Sequence, residues 1–205
     1  MTLSAAPATV DSIAAFRERH RAEMDCQIVH DSIHDRPGWT DEYLLFADGV
    51  AVGYGSVAIG GPWRGAPVLY QFHVEPDHRG RVFDLFRVLL DASRAPQLLV
   101  QSNDALAAAM LHTFCETISS EAILFHDTVR TQLRPPGATF RTPLAHEVTD
   151  VTADQLPWHG VVEIDGSIAA TGGILFHYNR PYGDIYMETR EPFRRRGLGS
   201  FLVQE

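Results

Sequence analysis

Cysteine is nearly absent from this 205-residue sequence. Cys26 and Cys115 are far apart, and neither has the spacing of a disulfide framework or a metal site. Both are expected to be small buried apolar groups in a reducing, cytoplasmic compartment. No run reaches about 18 apolar residues, so no membrane-spanning helix is expected. The start, Met1-Thr2-Leu3-Ser4-Ala5-Ala6, lacks the basic segment and apolar run of a secretory leader. Positive charge is also scarce, with 17 basic residues against 26 acidic ones and a net charge of -9. Nucleic acid is therefore not an expected partner, because phosphate backbones need a basic face. What the chain does hold is apolar mass. Hydrophobic residues make up 45%, enough for a packed core in one large domain or two small ones.

Against that acidic background, one basic segment stands out. Glu188-Thr189-Arg190-Glu191-Pro192-Phe193-Arg194-Arg195-Arg196-Gly197-Leu198-Gly199-Ser200-Phe201-Leu202 reads as a strand end, a glycine loop and a helix start. Three arginines before a helix N-terminus oppose its partial positive charge, at about 0.3–1 kcal/mol each. A docked anion reverses that penalty. Gly197 and Gly199 would let backbone N–H groups approach it closely. A Walker A loop is excluded because no Gly-Lys-Ser/Thr is present, and a Rossmann turn because Leu202 stands at its third glycine position.

With Arg194 first and Gly197 and Gly199 following, the loop resembles the R-x-x-G-x-G signature of the GNAT (Gcn5-related N-acetyltransferase) superfamily. The flanks agree: Asp184 to Thr189 as the preceding strand, Ser200 to Val203 as helix. The resemblance implies an α/β (α+β) fold of acyl-CoA N-acyltransferase type, with a mixed, mostly antiparallel sheet flanked by helices. It implies acetyl-CoA as co-substrate, with the diphosphate held by Arg194, Arg195, Arg196, Gly197, Leu198, Gly199 and Ser200. The backbone of Met187, Glu188 and Thr189 would hold the pantetheine arm. No metal is implied.

The same pattern occurs earlier. Ile13 to Cys26 has helical character. Tyr43 to Phe46 and Val50 to Ile59 flank Asp48-Gly49, a hairpin signal. Strand Pro67 to Val74, helix Val82 to Ser93, strand Gln97 to Gln101, helix Asp104 to Cys115 and strand Ala122 to Phe125 follow. Val74-x-Pro76-x-x-Arg79-Gly80-Arg81 sits where the superfamily carries V-x-P-x-x-R-G-x, but Val82 and Asp84 occupy the glycine positions. A β-branched side chain and a carboxylate both oppose a phosphate there, so this copy is expected to lack the cofactor grip. A linker is expected at 134–141, from Arg134-Pro135-Pro136-Gly137. Trp158 to Ile164 and Ser167 to Tyr178 then repeat the hairpin around Asp165-Gly166. The expected organisation is a degenerate GNAT-like domain at 1–133 and the N-terminal half of a second one at 142–205. Because Val203-Gln204-Glu205 reads as mid-helix, the sequence is expected to be a piece of a longer protein.

An amine acceptor, a small molecule or a protein, must lose a proton before it attacks a thioester, and carboxylates do that work. Glu188 is the first candidate base and Asp184 the second; both share strand parity with Tyr186. An ordinary ion pair with Arg190 is the plain alternative for Glu188. The resemblance also implies a tyrosine acid on a later helix, which this sequence does not contain. A non-catalytic acetyl-CoA binder and a scaffold therefore stand beside the transferase reading. His30 and His34, four apart, carry the spacing of metal ligands, but Pro37-Gly38 points to a loop. His159 and His177 read as hydrogen-bonded strand histidines or as groove residues, and Trp63, Trp158, Tyr178 and Tyr182 as core or rim packing. An unfinished sheet edge would favour homo-oligomers.

Overall fold

The computed structural model describes residues 2–120, 131–149 and 159–205. The expected strand at Ala122 to Phe125, and Trp158, lie outside those residues. The chain forms two compact units: Met1–Ser120 with His177–Tyr182, and Glu121–Phe176 with Gly183–Glu205.

In the first unit, β1 (Leu3–Ala8) precedes α1 (Val10–Met24). β2 (Thr40–Ala47), β3 (Val50–Ala58) and β4 (Val68–Val74) come next, followed by α2 (Val82–Ser93), β5 (Gln97–Leu98) and α3 (Ala105–Phe114). The strands lie in the order β1-β2-β3-β4-β5, antiparallel except for the parallel β4–β5 pair. The sequence reading missed β1, whose alanine-rich Leu3-Ser4-Ala5-Ala6-Pro7-Ala8 carries no strand propensity and is recruited by pairing with β2. It also overextended β5, which ends at Leu98, with the Leu99 N–H still donating to Leu69 O at 2.9 Å. Asp48 and Gly49 both take positive φ (49° and 82°), the turn that matches strand twist.

Alternation along β4 divides the unit chemically. Phe72 and Val74 face α2, packing with Leu85, Phe86 and Leu89. Gln71 and His73 face α1, whose Arg17 and His20 are buried with them. The space beside β4 and β5 is filled: Phe72 meets Phe86 edge-on at 4.8 Å, and Phe86 meets Phe114 at 5.1 Å. Only about 10 Å3 remains among Leu69, Phe72, Phe86, Leu98 and Ala107. Val82 is buried, and Asp84 pairs with Arg81 (3.0 Å) and Arg87 (3.5 Å) in the first turn of α2.

Opposite that apolar face runs a buried polar network. The Asp31 carboxylate accepts from Arg17 (3.2 Å), Arg21 (2.5 Å) and Gln71 (2.9 Å). His34 Nδ1 meets Glu42 at 2.8 Å; its Nε2 lies 2.9 Å from Gln71 and 2.8 Å from the Tyr70 hydroxyl. Ser56 donates to Glu42, and the Tyr54 hydroxyl lies 2.9 Å from both Gln71 and His20. The segment around His34 is a 3-10 turn (Asp31–Asp35), not the expected open loop. His34 is a core residue there, while His30 packs edge-on against Trp63 at 4.8 Å.

His73 stacks on His20 at 5.3 Å. Burial, followed by the neighbouring His20, pushes the His73 imidazole down to about 4. The unfolded chain takes up that proton near 6.5, so it binds more protons than the native state between 6.5 and 4. Stability should therefore be full above about pH 6.5 and fall by up to about 3 kcal/mol as pH drops toward 4. Urea midpoints measured against pH should show this limb, and His73→Leu should flatten it.

The second unit contains β6 (Ala138–Arg141), α4 (Ala145–Thr149), β7 (Gly160–Ile164), β8 (Ser167–Leu175), β9 (Asp184–Thr189) and α5 (Leu198–Gln204). Its sheet runs β6-β7-β8-β9, antiparallel throughout. The expected linker at 134–141 therefore ends in a strand. Pro135-Pro136-Gly137 only turns the chain, with Ala138 N–H donating to Pro135 O at 3.1 Å, and Ala138 to Arg141 then pair with β7. Leu198, Phe201 and Leu202 of α5 pack on Val162, Ile164 and Ala170 to form the core.

Candidate functional site

The two units repeat the same local geometry. Asp165 and Gly166 adopt φ of 49° and 75°, as Asp48 and Gly49 do. Gly53 and Gly55 face Val74 and Phe72, and Ala170 and Gly172 face Thr189 and Met187 in the same order. After β4 and after β9 an arginine turns back on the backbone. Arg79 Nε donates to Val74 O at 2.9 Å, and Arg194 Nε donates to Thr189 O at 3.0 Å. Three and five residues after these arginines, Gly197 and Gly199 stand in the second unit and Val82 and Asp84 in the first.

In the second unit, Met187, Glu188, Thr189, Arg194, Arg195, Gly197, Leu198, Gly199 and Ser200 line one open groove of about 550 Å3. β9 supplies one wall, and the turn into α5 supplies the other. A 3-10 turn at Glu191–Phe193 lifts the chain off the sheet before Arg194. Gly197 precedes α5 with φ 75°, and a Cβ there would meet nothing within 4 Å, so its bare backbone faces open space. Gly199 sits closer: a Cβ would lie 3.1 Å from Met187 Sδ. Arg195 also takes a positive φ, 63°, which costs a side-chain-bearing residue about 1–2 kcal/mol. Such a conformation is not legible in Arg-Arg-Arg.

Ten residues were expected to hold the cofactor, and nine of them line this groove. Arg196 does not; its guanidinium lies 5.8 Å over the Phe193 ring. Asp184, the second candidate base, opens β9 and is not among the lining residues, whereas Glu188 is. His159 belongs to the second unit, where its Nδ1 accepts the Ile174 N–H at 2.9 Å. A Cβ at Gly173 would collide with the Tyr186 hydroxyl (2.6 Å) and with His159 Nδ1 (2.7 Å), so glycine there lets both approach. His177 is placed with the first unit, where its carbonyl accepts the Ser32 N–H. Tyr182 likewise donates to Asp25 O at 3.3 Å, and Trp63 packs beside Ile33, Ala58, Val68 and Tyr70.

Cys26 is buried and Cys115 half-buried, both as free thiols that burial pushes up. Among the described residues, no group of three or more His, Cys, Asp or Glu side chains is placed to hold a metal ion, and no helix is long and apolar enough to cross a membrane.

No protein-family model and no curated protein matches the sequence. Solved structures do match. A GNAT-family acetyltransferase from Colwellia psychrerythraea superposes with a TM-score of 0.60 at 14% identity, over 99% of this chain and 83% of that one. A ribosomal-protein-alanine N-acetyltransferase from Brucella melitensis biovar Abortus 2308 matches at 16% identity over 61% of this chain and all of its own, with a TM-score of 0.43. A Clostridium acetobutylicum acetyltransferase solved with acetyl-CoA matches at 11% identity over 61% of this chain and 96% of its own, TM-score 0.41. Over nearly its whole length, this chain has the mixed, mostly antiparallel acyltransferase fold seen in the Colwellia GNAT protein.

Proposed function

We propose that this protein is an acetyl-CoA-dependent N-acetyltransferase of tandem GNAT architecture, in which the second copy binds the co-substrate and the first is degenerate. The observation that carries this reading is the groove that runs from the β9 backbone to the bare amides at Gly197 and Gly199. Arg194 and Arg195 line it, in a chain of net charge -9, and an acid-rich protein has little other use for cations grouped around exposed glycines. The filled space beside β4 and β5 in the first unit supports degeneracy there.

Acetyl-CoA would supply the acyl group as a thioester. Arg194, Arg195, Gly197, Leu198, Gly199 and Ser200 would hold the diphosphate by amide and guanidinium donors, as helix-start anion sites do. Met187 and Thr189 would offer backbone N–H groups to the pantetheine arm and to the carbonyl oxygen, where charge develops. Glu188 takes the proton of the incoming ammonium, directly or through water. Asp184, outside the groove, is a second candidate only for a relay.

The test is release of free CoA with a panel of amines, after thermal shift with acetyl-CoA. The chain contains no lysine, so apart from its α-amino group every acetylated amine comes from the added acceptor. Glu188→Gln should lower kcat by about 10²-fold at neutral pH while the thermal shift persists, and high pH should restore part of the rate because the acceptor then arrives neutral. Loss of both shift and rate would assign Glu188 to binding instead. A shift without CoA release would identify a non-catalytic binder, and no shift a scaffold.

A further inference from the structure

β8 ends at Leu175 and β9 begins at Asp184, yet His177–Tyr182 between them belongs to the first unit. There it runs antiparallel along Asp25–Ser32, the stretch that follows α1. His177 O accepts the Ser32 N–H at 3.3 Å, and the Tyr182 hydroxyl donates to Asp25 O at 3.3 Å. Asn179, only 8% exposed, sits between these two contacts. Its Oδ1 accepts the Ile28 N–H at 2.6 Å, and its Nδ2 donates to Cys26 O at 3.2 Å. Tyr182 N–H closes the turn on Asn179 O at 3.1 Å.

Burial makes these bonds necessary. Cys26, Gln27 and Ile28 are buried, and none of them lies in a strand or helix. Buried backbone groups outside regular structure must find other partners. Two primary amides supply them, each spanning a donor and an acceptor. Gln101 Nε2 donates to Gln27 O at 2.7 Å, and its Oε1 accepts the Val29 N–H at 2.5 Å. Asn179 takes the alternate groups, Cys26 O and Ile28 N–H. The two side chains thus stand in for the neighbouring strands of a sheet.

We propose that the first unit serves as the anchorage of β9: capture of Asn179 by the Cys26–Ile28 backbone fixes the point from which β9, one wall of the groove, starts. The linkage is covalent and short. Only Gly183 separates the captured segment from Asp184, the first residue of β9. A loose connection would let the Leu175–Asp184 and Ile174–Ile185 pairs fray, because pairs beside a free loop open first. Held at Asn179, the strand has a fixed entry. This task needs no phosphate grip, so it leaves the first unit free to carry Val82 and Asp84 where the second has glycines.

Hydrogen exchange of the full chain, read residue by residue, tests the anchorage. Asn179→Ala strands the buried Ile28 N–H and Cys26 O, so exchange at Ile28 should accelerate by about tenfold to a hundredfold. The Leu175–Asp184 end of the β8–β9 pairing should accelerate with it. The β6–β7 pairing, Phe140 with Val162, should keep its rate, which separates the effect from general loss of stability. Tyr182→Phe deletes only the bond to Asp25 O and should move the same residues by about threefold, even if Asn179→Ala fails to fold. Acceleration confined to Ile28 and its neighbours overturns the proposal, because the capture would then be a local feature of the first unit. Unchanged exchange in both variants overturns it too.

One arm rests on the acetyl-CoA reading as well. A wall with a loose start makes a poorer groove, so Asn179→Ala should weaken acetyl-CoA binding by about threefold to tenfold in calorimetric titration. If β9 exchange follows Asn179 but acetyl-CoA binds neither protein, the anchorage stands and the co-substrate reading falls. If both proteins bind it equally and β9 exchange is unmoved, the anchorage falls and the co-substrate reading stands.

Discussion

Asp31→Ala is expected to destabilise the first unit by about 3–5 kcal/mol, the loss typical when one member of a buried ion cluster is deleted. The Asp31 carboxylate is almost fully buried and serves Arg17, Arg21 and Gln71 at once. Burial alone would raise its pKa, but the Arg17 guanidinium, the Gln71 amide and Arg21 outweigh that and hold it below the ordinary carboxylate value. Removal would strand Arg17, itself buried and with Nε already unpartnered. Arg21 is more exposed and can turn to water, so Arg17 bears most of the penalty. A direct control follows. Replacing both partners, Arg17→Met with Asp31→Leu, removes the desolvation cost along with the attraction, and should recover most of the loss. Denaturant midpoints for the single and double variants decide the matter. If Asp31→Ala proved neutral, the network would be ornamental and the face under α1 would owe its order to apolar packing alone.

Legibility in the sequence followed the type of physical signal. Helix Val82–Ser93 and strand Asp184–Thr189 were fixed to the residue, because each has strict periodicity and strong punctuation at both ends. Asp48-Gly49 and Asp165-Gly166 were legible for the same reason, since few residue pairs tolerate two positive φ angles. β1 was not: its residues take strand form only because β2 offers an edge, a long-range cause that no local window contains. The polar network was hidden more deeply. His34 was weighed as a metal ligand because of its spacing from His30, yet its partners Glu42 and Gln71 come from two other strands. The available signal was the presence of Glu42, Gln71 and His73 inside otherwise apolar strands, where a charged or amide side chain needs a buried partner. In the second unit, the loop was visible because glycine and arginine identities carry it directly. The positive φ of Arg195 and the turning away of Arg196 depend on backbone path, so identity alone did not separate them from Arg194.

Gly197→Asp is expected to weaken acetyl-CoA binding by about 10³-fold and to erase its thermal shift, while leaving the second unit folded. Two effects add. A side chain at φ 75° costs about 1–2 kcal/mol, and a carboxylate about 4 Å from a diphosphate adds up to about 4 kcal/mol of repulsion at an effective dielectric of 20. Folding should tolerate the change, because a Cβ there meets no atom within 4 Å and Leu198, Phe201 and Leu202 still anchor α5. Gly197→Ala separates the two effects, since it keeps the backbone strain without the charge and should cost only about tenfold in affinity. Val82→Asp at the matching place in the first unit should leave the thermal shift from acetyl-CoA intact, since the space there is already filled by Phe72 and Phe86. Its own cost falls on stability, through a carboxylate placed where Val82 is buried. Calorimetric titration of acetyl-CoA into the three variants distinguishes these outcomes. Equal loss of affinity from Val82→Asp and Gly197→Asp would mean that the first unit binds the co-substrate too, and the assignment of the working copy would fail.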